Sequence, residues 1–93
     1  MNLTDFKQNE HNGGVQVLLD YTQYQLSIIK SDFSYGGKQG LYEIGVFDNN
    51  GLVELADITS EGDTVRGHLT ETQVDSIIKM MTMITKETPK QIN

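Results

Sequence analysis

Cysteine and tryptophan are absent from this chain, proline occurs once, and thirteen acidic residues face only seven basic ones. Without cysteine there is no disulfide scaffold, no thiolate zinc site and no cysteine nucleophile. The same absence suits a reducing cytosol. No apolar run approaches the roughly 20 residues that a membrane-spanning helix needs. The opening MNLTDFKQNEHNGG has no basic region followed by an apolar core, so it does not read as a signal peptide. A formal net charge of −6 disfavours binding to nucleic-acid phosphates and to anionic membrane surfaces, and favours a protein partner with a basic surface.

The 93 residues suit a single domain, 1–93, with one core. Residues 1–13 read as a loosely ordered lead-in and residues 88–93 as a flexible tail. The strongest local pattern is Leu41 to Ile58, LYEIGVFDNNGLVELADI, in which two alternating runs flank Asn50-Gly51. Asn-Gly favours the positive φ angles of a type I′ hairpin turn. With those two residues at the centre, Asn49 opposes Leu52 and Val46 opposes Leu55. Ile44, Val46, Val53 and Leu55 then share one face, while Glu43, Gly45, Phe47, Glu54 and Ala56 share the other.

Upstream, VQVLLD (from Val15) and QLSIIK (from Gln25) read as a first hairpin, with Val15, Val17 and Leu19 aligned against Leu26 and Ile28. Ser31 to Gly40 is a long connection, and Thr59 to His68 reads as polar and irregular. Thr70 opens a helix. Thr70 and Gln73 match a capping box, and Leu69 and Val74 match a hydrophobic staple. Val74, Ile77, Ile78, Met81 and Ile84 recur at helical spacing, and Pro89 stops the helix near Lys86. The expected fold is α+β: about four mostly antiparallel strands in two hairpins, with one C-terminal helix packed on the Ile44/Val46/Val53/Leu55 face.

Chemistry is sparse. Ser34 to Gly40, SYGGKQG, joins three glycines to Lys38 and could cradle an anion, but a strand follows it rather than the helix of a phosphate loop. Asp57 to His68 places Gly62 sixth of twelve, as in a calcium-binding EF-hand loop. His68 stands where the bidentate glutamate belongs, so no metal site is expected. His11 and His68 are the only histidines; His11 falls in the loosely ordered lead-in, and His68 has no serine or carboxylate at a diagnostic spacing. The expectation is a protein that is not an enzyme and carries no cofactor. Between Asp32 and Asp75, nine carboxylates are opposed only by Lys38 and Arg66. Tyr35, Lys38, Glu43, Phe47, Glu54, Asp57, Glu61 and Asp63 are therefore the expected partner-binding residues.

At SYGGKQGLYE (Ser34 to Glu43) and GHLTETQV (Gly67 to Val74) the chain resembles small accessory proteins of tailed bacteriophages and prophages. The resemblance spans roughly the second two-thirds of the chain and departs from the pattern at TSEGDTVRGH, which is longer and more acidic. It carries over no catalytic or ligand residues. It implies an origin: a phage accessory protein acting in the host bacterial cytoplasm. Small size, strong acidity and the lack of a catalytic constellation, taken with those motifs, give the leading expectation: a protein that binds and inhibits a host protein, for instance a nucleic-acid-processing defence enzyme of the CRISPR or restriction type. Two other readings come from the residues themselves: a nucleotide-type ligand binder using the SYGGKQG loop, and a homodimer assembled through a Met80/Met83 edge.

Overall fold

The two alternating runs near the N-terminus form the long hairpin expected of them. The computed structural model describes all 93 residues and contains seven strands: β1 (Asn9–His11), β2 (Gly14–Asp20), β3 (Gln25–Lys30), β4 (Tyr42–Asp48), β5 (Gly51–Leu52), β6 (Val65–Leu69) and β7 (Lys90–Gln91). One helix, α1 (Glu71–Thr85), lies between β6 and β7. All strand pairings are antiparallel, so the molecule is an α+β fold with one C-terminal helix.

Register explains the core. Val17 stands opposite Ile28 and Leu19 opposite Leu26, while Leu26 and Ile28 in turn oppose Val46 and Ile44. Because side chains alternate along a strand, these six share one face, and each is at most 1% exposed. Val74, Ile77, Ile78 and Met81 of α1 close that face in one cluster with them. The capping box forms as the sequence demands, with the Thr70 hydroxyl accepting from the Gln73 N–H and the Gln73 side chain accepting from the Thr70 N–H. Leu69 and Val74 are both buried, as a staple requires. Ile84, expected in the stripe, is 44% exposed in the last turn of α1.

Three expectations need correction. The sheet has seven strands rather than about four. Its centre is β2–β3–β4, and each outer edge is shared by two short strands. β1 and β7 divide the free edge of β2, and β5 and β6 divide that of β4. Such short strands carry too few residues for their alternation to stand out.

The central hairpin also pairs differently. Phe47 opposes Leu52 and Asp48 opposes Gly51, two residues away from the Asn49/Leu52 register. The turn centres on Asn49-Asn50, because Asp48 Oδ1 accepts the Asn50 N–H at 2.7 Å and Gly51 takes φ 114° just after it. A two-residue shift keeps every side chain on its face. β5 then ends at Leu52, and the chain leaves the sheet to bury Ile58 completely. β6 fills the vacated edge from within the segment expected to be irregular.

Finally, the chain ends are built in. Leu3 is fully buried, and its N–H donates to Asp75 Oδ1 on α1 at 2.7 Å. A 3-10 turn spans Leu3–Asp5. Gln91 brackets the Lys7 backbone through both its amide atoms, and Asn93 bonds to Leu18 N–H and the Gln16 carbonyl. These partners lie more than seventy residues apart in sequence, out of reach of any local pattern.

Candidate functional site

The eight expected partner-binding residues fall into three neighbouring places. Tyr35 and Lys38 lie on the connection between β3 and β4, Glu43 and Phe47 on the sheet face turned away from α1, and Glu54, Asp57, Glu61 and Asp63 around the segment between β5 and β6.

The β3–β4 connection is held by its own hydrogen bonds. The Ser34 hydroxyl accepts the Ser31 N–H and donates to the Ser31 carbonyl, and the Ser31 hydroxyl accepts the Phe33 N–H. Glu43 Oε1 accepts the Tyr35 N–H at 2.8 Å, and the Tyr35 carbonyl accepts the His68 N–H at 3.0 Å. Two glycines make the close approach between segments workable: a Cβ at Gly37 would run into the Ser31 carbonyl, and one at Gly67 into Tyr35 Cβ. His68 sits in the left-handed region at φ 56°, a costly conformation for a residue with a Cβ. Held in this way, the connection displays Phe33 at 86% and Tyr35 at 60% exposure. A recess of about 250 Å³ beside it is lined by Asp32, Ser34, Tyr35, Gly36, Lys38, Gln39 and His68.

The acidic segment is ordered by its own carboxylates. Glu54 Oε2 accepts the Gly62 N–H at 2.6 Å. Asp63 Oδ1 accepts the N–H groups of Thr64 and Val65 at 2.7 and 3.3 Å. Thr59 closes the turn before it, with its hydroxyl bonded to both the N–H and the carbonyl of Leu55. Glu54 and Asp63 thus shape the loop, while Asp57 and Glu61 are exposed on it. A recess of about 370 Å³ is lined by Glu54, Ala56, Asp57, Thr59 and Glu61, three carboxylates with no cation among them. No group of three or more carboxylate or histidine side chains is arranged to hold a metal ion, so Asp57, Glu61, Asp63 and His68 do not converge as an EF-hand loop would.

Glu43 and Glu54 were expected to share the outer sheet face. Only Glu43 does, because the chain departs from the sheet after Leu52 and carries Glu54 with it. The outer face holds instead a small cavity of about 170 Å³ lined by Ser27, Ile29, Glu43, Gly45, Phe47, Leu52 and Val65. Ile29, Leu52 and Val65 were not among the expected site residues. Alternation already sets Ile29 on the face opposite Leu26 and Ile28, whereas Val65 shows only once β6 is known. Phe33 was also missed, an aromatic in a polar connection whose exposure no spacing reveals. On α1, Met80 packs against the core and Met83 is 66% exposed.

Two ionisable groups depart from their ordinary behaviour. The Gln25 side chain and the Thr22 N–H both donate to Asp20 and lower its pKa below the usual aspartate value, with a smaller contribution from Lys90. Burial pushes the Tyr21 phenol well above its ordinary value; its hydroxyl donates to the Ile78 carbonyl at 3.1 Å beneath α1. Both lie at the β2–β3 turn: Tyr21 is buried beneath α1, while Asp20 stands in register with Gln25, which in turn opposes Phe47.

No protein family, curated protein or solved structure matches the chain. No helix is long and apolar enough to cross a membrane.

Proposed function

We propose that this is a non-catalytic phage accessory protein that docks on the basic surface of a host nucleic-acid-processing defence enzyme and blocks it. The reading is carried by the recess lined by Glu54, Asp57 and Glu61, whose negative charge has no cation in its lining. The hydrogen bonds from Gly62 to Glu54 and from Thr64 and Val65 to Asp63 fix that loop before any partner arrives, which lowers the entropy cost of docking. Carboxylates held in place can occupy a groove whose lysines and arginines otherwise hold phosphates. Long-range attraction from the −6 charge speeds the encounter and weakens as salt screens it. The SYGGKQG and GHLTETQV resemblance supports the phage setting and the bacterial cytoplasm as the place of action.

The test is recovery on the tagged protein from host lysate. A nucleic-acid-processing enzyme that is released by raised salt and displaced by duplex DNA or RNA is the expected result. Recovery of no such enzyme, at low as well as physiological salt, overturns the reading.

A second reading is favoured by the 250 Å³ recess, where Lys38 and His68 stand beside exposed Tyr35. A small anionic ligand such as a nucleotide would place its phosphate at Lys38 and its base on the tyrosine ring. A ligand that binds only the native state must raise Tm; a Tm unmoved by every nucleotide tried removes this reading.

A further inference from the structure

The cavity on the outer sheet face has a simple origin. Gly45 stands in β4 between Ser27 of β3 and Val65 of β6, and its missing side chain leaves a hole in an otherwise filled row. Ile29, Phe47, Leu52 and Val65 wall the hole, and Glu43 is the one charged residue in its lining. Small-molecule clefts run to roughly 300–1,000 Å³, so a cavity of about 170 Å³ suits a single side chain.

We propose that this slot receives one arginine side chain from a basic partner protein. Its methylene stem lies among Ile29, Leu52 and Val65, and its guanidinium meets the Phe47 ring and Glu43. Several observations select that occupant. Glu43 Oε1 is taken by the Tyr35 N–H, while Oε2 accepts no hydrogen bond from the chain. A purely apolar side chain would cover this carboxylate without giving it a partner, which is costly. An anion would meet Glu43 and the acidic loop beyond Leu52 and Val65. Arginine is the side chain whose planar cation both stacks on an aromatic ring and bonds to a carboxylate. The proposal rests on the docking reading above and adds the anchor: an apolar slot beside the charged rim at Glu54 to Asp63.

Nα-acetyl-arginine amide is the probe, followed by amide chemical shifts in two-dimensional NMR. Shifts are expected at Gly45, Leu52 and Val65. The neutral analogue acetyl-citrulline amide, and the arginine probe on Glu43→Gln, should bind at least tenfold more weakly. Glu43→Gln keeps an acceptor for Tyr35. A Cβ at position 45 would lie 3.4 Å from Val65 Cγ1 and 3.6 Å from Leu52 Cδ2, ordinary contact. Gly45→Ala should therefore fill the floor with Tm undiminished, and abolish the shifts. Equal binding of citrulline, shifts that persist in Gly45→Ala, or no shifts at all overturn the slot. Shifts confined to Gly62 and Asp63 also overturn it while favouring the acidic-loop docking, which stands or falls on its own salt-dependent recovery test.

Discussion

Tyr21 shows how much one side chain carries at the join of sheet and helix. It lies in the short link between the two strands of the first hairpin, yet it is fully buried and its hydroxyl reaches the Ile78 carbonyl of α1. Tyr21→Phe should cost about 1 kcal/mol, the usual net worth of such a bond, measurable as a shift in the urea midpoint. Its raised pKa adds an alkaline signature. Above pH ~10 the unfolded chain loses the phenolic proton and the folded chain keeps it, so stability falls as pH rises from there. The wild type should lose stability between pH 10 and 11.5 more steeply than Tyr21→Phe, and parallel slopes would contradict this. Asp20 acts at the other end of the scale. Its pKa is lowered in the folded state, so its contribution is present above the unfolded value near ~3.9 and is lost as pH falls through the folded one. Asp20→Asn should flatten the acid limb of the stability profile below pH 4 and leave the limb above pH 6 unchanged.

Among the elements, α1 and the β3–β4 connection illustrate two ways of being specified. α1 is written locally, in its cap, its staple and its apolar spacing. Thr70→Ala should lower stability by about 1 kcal/mol through loss of the cap, with less helical far-UV circular dichroism at partial denaturation. The connection is written by proximity instead. Three glycines mark it as a turn, but the reason for Gly37 is the Ser31 carbonyl, and the tight partner of Tyr35 is Gly67, thirty-two residues further on. Gly67→Ala should cost about 1–3 kcal/mol by forcing β6 and the Tyr35 loop apart, and speed hydrogen exchange at the His68 amide, which is bonded to the Tyr35 carbonyl. Normal protection of that amide in a stable variant would show that the loop yields without cost. The acidic loop follows the same logic. Glu54 and Asp63 were expected as partner contacts, and their carboxylates also organise the backbone. Partner binding by Glu54 is best probed with Gln, which retains an acceptor for Gly62.

At the scale of the molecule, both edges of the central three strands are closed by paired short strands, leaving no long edge to recruit another chain. The ends of the chain take part in this. Leu3→Ala should cost about 2–5 kcal/mol, as for other fully buried leucines, and removal of residues 90–93 should expose the Leu18 amide to exchange, because Asn93 Oδ1 is its acceptor. Full protection of Leu18 in the shortened chain would show that β7 is not holding that edge. Much of this architecture was legible from periodicity: β2, β3, β4 and α1 were read near their observed bounds, and the inner and outer faces of β4 were assigned correctly. Glu43 and Phe47 were also placed on the outer face. The sequence by itself determined those elements because alternation, helical spacing and capping act within a few residues and repeat. Tertiary structure alone decided the hairpin register, the departure of β5 to bury Ile58, the return of β6 and the tying-in of both chain ends. Each of these depends on contacts between residues far apart in sequence, where a two-residue strand or a single carboxylate leaves no periodic trace. The Gly45 slot came from both: the glycine is visible in the strand, but only the folding of Leu52 and Val65 onto the same edge of β4 turns its missing side chain into a cavity.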